Sequence, residues 1–358
     1  MKRIFIASLA ILLLFALILG GCAKPAPAPA PAPTPAPTPA PAPVKPVALR
    51  LTHHNPPGSS LDISYHEWAK KLEESSGGRV KVTIYADETL GKAFDHWDMV
   101  EGGVVDIAWI FPEWHPGVFP LTAIGGQPFI QPRELDLQLI KYIFDKYLTP
   151  EYKTVKVLWN SVATPMELHM AEKPVRTLEE LQGLQIGTPP GPPSWAMKAL
   201  GAAAQMVVTP EMYTALERGM IDGYVIPISA VEMLKVYEVI EYTVMIDLCY
   251  AYNPTVMNLE RWNSLPPEIQ KAIEELNPWI EQLIFDRGLA EQDEAIEILK
   301  EHGVEFIYIS DEERGRWAEA CKAQVDKWAA EMNDKGLPGT EIVDEVRRLA
   351  AEQLAAKK

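Results

Sequence analysis

The chain has 358 residues, 47% of them hydrophobic and 23% charged, with a formal net charge of −16 at pH 7. Its length allows two domains of ordinary size after an unusual N-terminus. So acidic a chain argues against nucleic acid and against charge-driven binding to anionic lipid, and its three cysteines form no CxxC or Cys/His cluster that would suggest zinc.

Lys2 and Arg3 precede the apolar run Ile4 to Leu19, which closes Leu19-Gly20-Gly21-Cys22. The run is short for a membrane span and ends in small residues, so 1–21 reads as an export signal, with a transmembrane anchor as the other reading. Small residues before a cysteine are similar to a bacterial lipobox. In such sequences cleavage precedes the cysteine, which is then acylated, so Cys22 is the expected lipidation site and the anchor to the membrane. Nearly every second residue from Pro25 to Pro46 is proline. Such a segment builds no core and favours extended polyproline II, so 22–46 is expected to be a spacer, with a recognition motif as the alternative.

Val47 to Thr52 alternates like a strand and ends in the loop His53-His54-Asn55. Leu61, Tyr65, Trp68, Ala69 and Leu72 share a helical face, and Gly77-Gly78 stops it. Arg79 to Tyr85 is a second strand, followed after Leu90-Gly91 by a helix through Val100. Val155 to Thr164 and Met166 to Met170 read as strands, and Thr177 as the N-cap of a helix from Leu178 to Gln182. Then come a strand from Leu184 to Thr188, a helix from Trp195 to Leu200, a strand from Ala204 to Val208, and a helix started by Pro210. Thr255 to Leu259 is one more strand. From Pro266 onward the pattern is mostly helical, with Pro278 expected to bend the first long helix.

One ten-residue figure occurs twice. Glu101-Gly-Gly-Val-Val-Asp106-Ile-Ala-Trp109-Ile110 is answered by Glu217-Arg-Gly-Met-Ile-Asp222-Gly-Tyr224-Val-Ile226. Each reads as a helix stopped by glycine at the left-handed cap position, an Asp turn and a buried strand. Two such units imply two α/β domains whose strand ends border a common crevice. Asp106 and Asp222 could pass for paired catalytic carboxylates, but their matched context favours turn and capping hydrogen bonds.

Ser76-Gly-Gly-Arg-Val80, Leu90-Gly91, the first figure, Thr177-Leu-Glu-Glu-Leu-Gln-Gly-Leu-Gln-Ile186, Tyr213 through Gly223 and Leu265-Pro-Pro-Glu-Ile-Gln-Lys271 occur in that order. Together they resemble the DctP-type solute-binding proteins of tripartite ATP-independent periplasmic (TRAP) transporters. The resemblance implies an α/β, two-lobed periplasmic-binding-protein-like clamp with a long C-terminal helical segment, extracytoplasmic at the periplasm or cell surface. It implies capture of a small organic solute between the lobes and delivery to a membrane permease, with no chemistry and no cofactor. The expected boundaries are 47–163 with 253–290 for lobe I, and 164–252 with 291–358 for lobe II.

The same resemblance shows where this chain departs from type. The family's cleft arginine after its Leu-Lys-Ile stretch falls at Gly187, a second arginine at about Met166, and a common asparagine at Ile226. Without them a buried carboxylate lacks its usual partner, at a cost of several kcal/mol. The candidate ligand-binding residues are therefore His53, Asn55, Trp109, Phe111, Trp114, Trp159, Met166, Gly187, Thr188, Trp195, Tyr224 and Ile226, a largely aromatic and apolar set. Glu113 lies in the same loop as Trp114, and the proline-rich start of the Trp195 helix is a candidate anion site. A metal-bridged solute, as in the α-keto-acid members, finds no ligand spacing here, and metal is expected to be absent. Other readings are a receptor for an ATP-driven importer and a secreted enzyme, the latter disfavoured because G-x-S-x-G, H-E-x-x-H and phosphate-loop motifs are missing.

Overall fold

The computed structural model describes residues 46–129 and 137–356. The expected signal, Cys22 and most of the linker lie outside the described residues. In chain order the elements begin β1 (Val47–Thr52), α1 (Ser60–Ser75), β2 (Val80–Tyr85), α2 (His96–Glu101), β3 (Ile107–Trp109), α3 (Leu137–Ile143) and β4 (Val155–Trp159). The second group is β5 (Met166–Met170), β6 (Gln185–Thr188), α4 (Pro192–Ala199), β7 (Ala203–Met206), α5 (Met212–Glu217), β8 (Gly223–Pro227), α6 (Ile228–Met233) and β9 (Tyr242–Met245). The chain closes with β10 (Thr255–Asn258), α7 (Leu259–Asn263), α8 (Pro267–Glu301), β11 (Glu305–Tyr308), α9 (Asp311–Asp334) and α10 (Gly339–Ala356).

Two sheets result, ordered β2-β1-β3-β10-β4 and β11-β9-β5-β8-β6-β7. Read outward from the edge, β7-β6-β8-β5-β9 repeats β2-β1-β3-β10-β4: three parallel strands, then two that alternate in direction. The fourth strand of each set is the exchanged one: β5 precedes the rest of its set, and β10 joins the first set only after the second. β4 leads directly into β5 of the other lobe, and β9 leads back into β10.

The doubled figure is the joint of each set. Gly103 (φ +73°) and Gly219 (φ +64°) take the left-handed cap position, where a side chain is strained. Asp106 then accepts the Arg50 backbone N–H at 2.8 Å while its own N–H donates to Arg50 O at 3.2 Å. Asp222 makes the same exchange with Gln185, at 2.7 Å in both directions. The two aspartates thus pin the third parallel strand to the first in each lobe.

Two expectations change. Residues 177–183 form turns rather than a helix: Glu180 takes the Arg176 and Thr177 N–H groups as a helix cap would, but Gly183 (φ +74°) ends the segment after about one turn. The strand read as Val155 to Thr164 stops at Trp159, where the chain starts to cross between lobes. β9 and β11 carry no clear periodic signal; β11 is a short edge strand pairing only with β9.

Both long helices serve both lobes. α8 puts Ile269, Ile273 and Ile280 into the core under the first sheet, and Ala295 and Leu299 into a core of the second. It remains helical through Pro278. α9 gives Trp317 and Cys321 to the second lobe but Val325, Trp328 and Met332 to the first, joined by Ile342, Val343 and Val346 of α10. Residues 325–346 therefore pack on lobe I, not lobe II where the sequence boundary put them, because their apolar stripe meets Ala108, Ile110 and Val256. Cys249 and Cys321 are buried free thiols.

Candidate functional site

Two segments cross between the lobes, near residues 160–166 and 246–254, and a third, 124–129 of lobe I, is laced to them. Phe129 donates to Leu248 O at 2.8 Å, Tyr250 to Gly125 O at 3.1 Å, Ala163 to Ala251 O at 3.0 Å and Asn253 to Ser161 O at 2.8 Å. Above them the lobes touch. A Cβ on Gly126 would lie 2.8 Å from Pro192 Cγ, and one on Gly191 would lie 3.8 Å from Glu113 O. The C-terminal ends of β1, β3 and β6 converge on this crevice.

One wall is aromatic. His54 stacks face to face on Trp109, with centroids 4.9 Å apart and planes 4° from parallel, and Phe111 packs on both. Trp114 stacks on Phe111 at 4.2 Å, and the exposed Phe94 extends the row at 6.3 Å. The Trp109 indole is fixed by its Nε1–H, which donates to Asn253 O at 2.7 Å and Ser161 Oγ at 3.0 Å. Burial holds His54 near a pKa of about 3, so its ring is neutral when it stacks.

Glu113 sits within this loop between Phe111 and Trp114 in sequence. Burial lifts its carboxyl to about 7, against hydrogen bonds from its own backbone and the Asn253 side chain that favour the charge. Its charge adds to the upward shift that burial gives the Tyr152 hydroxyl and the Cys249 thiol. The fully buried Gln127 leaves Oε1 without a partner, and the hydroxyls of Thr164 and Thr188 are likewise unpaired.

Opposite, Gly187 has a steric reason to be glycine. Any Cβ there would lie 2.5 Å from Tyr224 Cδ2 and 2.7 Å from Ile221 Cδ1. The Tyr224 ring cannot easily yield: it is fully buried and its hydroxyl donates to Val207 O at 2.7 Å. It fills space that a longer residue at position 187 would need.

The structure thus gathers Trp109, Phe111 and Trp114 into one wall and sets Gly187, Tyr224 and Ile226 into the second lobe's buried sheet. Other candidates fall elsewhere. Trp159 is 2% exposed and packs on Trp68 and Tyr65 in the lobe I core, because strand alternation turns it to the α1 side. Its neighbourhood includes a separate cavity of about 500 Å³ bordered by Lys141, Lys156 and Glu281. His53 is buried and binds Asp62 Oδ1 at 3.1 Å, so His54, not His53, joins the wall. Asn55 is held through its backbone carbonyl, which accepts the Asp87 N–H at 3.0 Å, and the Met166 sulfur lies 3.8 Å from the Cys249 sulfur. Trp195 is 39% exposed in the first turn of α4. The start of that helix is a poor anion site: Pro192 and Pro193 have no N–H, and Ser194 donates its own to Gly191 O.

Two α/β lobes laced by three segments around an aromatic-walled crevice define a solute-binding clamp. The chain belongs to the bacterial extracellular solute-binding protein family 7, the DctP family, whose model matches residues 51–331. It is an extracytoplasmic receptor that captures a small organic solute between its lobes and works with a TRAP permease. Among relatives, it is 27% identical to the 2,3-diketo-L-gulonate-binding periplasmic protein YiaO of Escherichia coli, over 84% of this chain and 92% of that protein. A marine metagenome TRAP solute-binding protein specific for aromatic acid ligands, solved with 3-hydroxybenzoate, is 25% identical with a TM-score of 0.78, covering 86% and 99% of the two chains. A TRAP solute-binding protein from Rhodoferax ferrireducens, solved with copurified benzoate, is 24% identical with a TM-score of 0.75, covering 87% and 100%, and shares the fold.

Proposed function

We propose that this receptor recognises a small aromatic or largely apolar solute by stacking and does not depend on an arginine-clamped carboxylate. The observation that carries this is the pairing of the His54–Trp109–Phe111–Trp114 wall with Tyr224 lying over Gly187. Stacked aromatic pairs contribute about 0.5–1.5 kcal/mol each beyond burial, enough in series to hold a small ring. The metagenome relative specific for aromatic acids supports the ring half of the reading.

The solute is bound and released unchanged, and Cys22 tethers the receptor to a membrane through a lipid, with 22–46 as the spacer. A copurified solute identified by mass spectrometry tests the ligand class directly. Trp109→Ala and Trp114→Ala should each weaken retention of that solute. Retention untouched by these changes, or an aliphatic dicarboxylate as the copurified solute, refutes the reading. Mass of the mature N-terminal peptide tests the lipid.

A further inference from the structure

The wall that receives the ring is itself held, and what holds it lies in the connections between the lobes. We propose that Ser161 is a positioning residue of the solute site: through the Trp109 indole N–H it ties the aromatic wall to both crossing segments, so that a solute stacked on the wall and the seating of the crossings stabilise each other. This rests on the aromatic-solute reading above and adds to it the link between binding and the moving parts.

The Trp109 indole N–H has two acceptors, and they come from different crossings. Ser161 Oγ, at 3.0 Å, belongs to the segment leading from β4 to β5, and Asn253 O, at 2.7 Å, to the segment returning from β9 to β10. Ser161 closes the triangle by donating its hydroxyl to the same Asn253 carbonyl. The crossings also pair directly there: the Asn253 N–H donates to Ser161 O at 2.8 Å, the Ala163 N–H to Ala251 O at 3.0 Å, and Val162 faces Tyr252 in an antiparallel bridge. Lobes joined in this way move by changes of backbone angle in a few connecting residues. Trp109 ends β3 of lobe I, so a single side chain of that lobe grips both connections at one point.

Packing alone fixes other rings of the same lobe. Trp68 and Trp159, in its core, leave their indole nitrogens without partners. Trp109 is only partly buried, whereas Ser161 and Asn253 are 8% and 2% exposed, so the ring is open to a solute and its anchor is not. The orientation of this one ring carries to the rest of the wall. His54 lies 4° from parallel on the indole and Phe111 packs on both, so a turn of Trp109 misplaces all three. Binding energy that holds the indole in place therefore also holds its two acceptors, and by linkage the reverse is equally true. Ser161 acts without touching the solute.

Calorimetric titration of the full chain with phenethylammonium, 2-phenylethanol and 3-hydroxybenzoate, which share a ring and differ in headgroup charge, tests this with thermal unfolding as the folding control. Ser161→Ala should weaken a bound probe by about three- to tenfold, the worth of one hydrogen bond, and Ser161→Thr, which keeps the hydroxyl, should restore affinity to within about twofold. Trp109→Phe keeps an aromatic face but has no N–H, so in that background Ser161→Ala should cost no more than about 1.5-fold. Hydrogen–deuterium exchange reads the link itself: a bound probe should slow exchange of the amides in 160–166 and 246–254, and most of that slowing should vanish in Ser161→Ala. Should Ser161→Ala not fold, Trp109→Phe, which leaves Ser161 and Asn253 in place, carries the same exchange comparison. An equal Ser161→Ala penalty in both backgrounds, or exchange protection undiminished in the variants, overturns the link and leaves the aromatic reading standing. Failure of all three probes to bind removes the aromatic reading and the link with it.

Discussion

Gly187 is where this chain's departure from its relatives can be weighed most cleanly. Its φ lies outside the left-handed region, so alanine is conformationally admissible. Through the unfolded state alone, Gly→Ala at a compatible strand position stabilises by about 0.4–1 kcal/mol. Against that stand two approaches, 2.5 Å to Tyr224 Cδ2 and 2.7 Å to Ile221 Cδ1, well inside van der Waals contact. Overpacking of a well-filled core costs about 1–3 kcal/mol, so the clash wins and Gly187→Ala should destabilise by about 1–2 kcal/mol. A double-mutant cycle in urea isolates the cause: in a Tyr224→Ala background the same change should become neutral or stabilising, a coupling of about 1–3 kcal/mol. Gly187→Arg in that background should also gain affinity for benzoate, because the space and the cation would then coexist. A stabilising Gly187→Ala, or a penalty unchanged by Tyr224→Ala, refutes the steric account.

The matched aspartates predict paired losses: Asp106→Ala strands the Arg50 N–H and two arginines and should cost about 1–3 kcal/mol, and Asp222→Ala, more exposed, should fall at the low end, both read by denaturant unfolding. Glu167 is buried against Asp247 and is raised to about 8 from an ordinary 4.5, so the folded chain holds a proton there that the unfolded chain has lost. That contribution is complete below about 4.5 and fades as pH rises through 8; Glu167→Gln, still able to accept from Ile246 and Asp247, should flatten the stability–pH profile in that window. Pro278→Ala within α8 restores a backbone donor and should stabilise the brace by up to about 3 kcal/mol, seen as a higher unfolding midpoint. An unchanged midpoint would mean that the helix already accommodates the proline without loss.

The doubled figure was the most legible part of the sequence because it encodes local chemistry: a left-handed glycine and a turn aspartate act on neighbours a few residues or one strand away. The helix expected at Leu178 failed for a similar local reason, since the left-handed Gly183 ends the segment after a single capped turn. The site was less legible. Trp109 and Trp159 each end a buried strand, and alternation cannot say which buried face is cleft and which is core. His53 and His54 are adjacent, and only the position of Asp62 on α1 sends one inward and leaves the other on Trp109. Gly187 was readable as a missing arginine, whereas its reason, the ring of Tyr224 beside it on the neighbouring strand, depends on strand pairing. The late helices misled because one apolar stripe serves two lobes in succession.

The exchange of strands between the sheets has a bearing on how the protein is made. β10 sits between β3 and β4, so the first sheet stays split until residue 258 is available, and its packing waits further for Trp328 and Val346. Neither half can therefore mature while the rest is still being synthesised or threaded across a membrane, and pairings this distant in sequence close slowly. For an exported chain that delay is useful, since a polypeptide without a finished domain remains unfolded enough to pass through a narrow translocation channel.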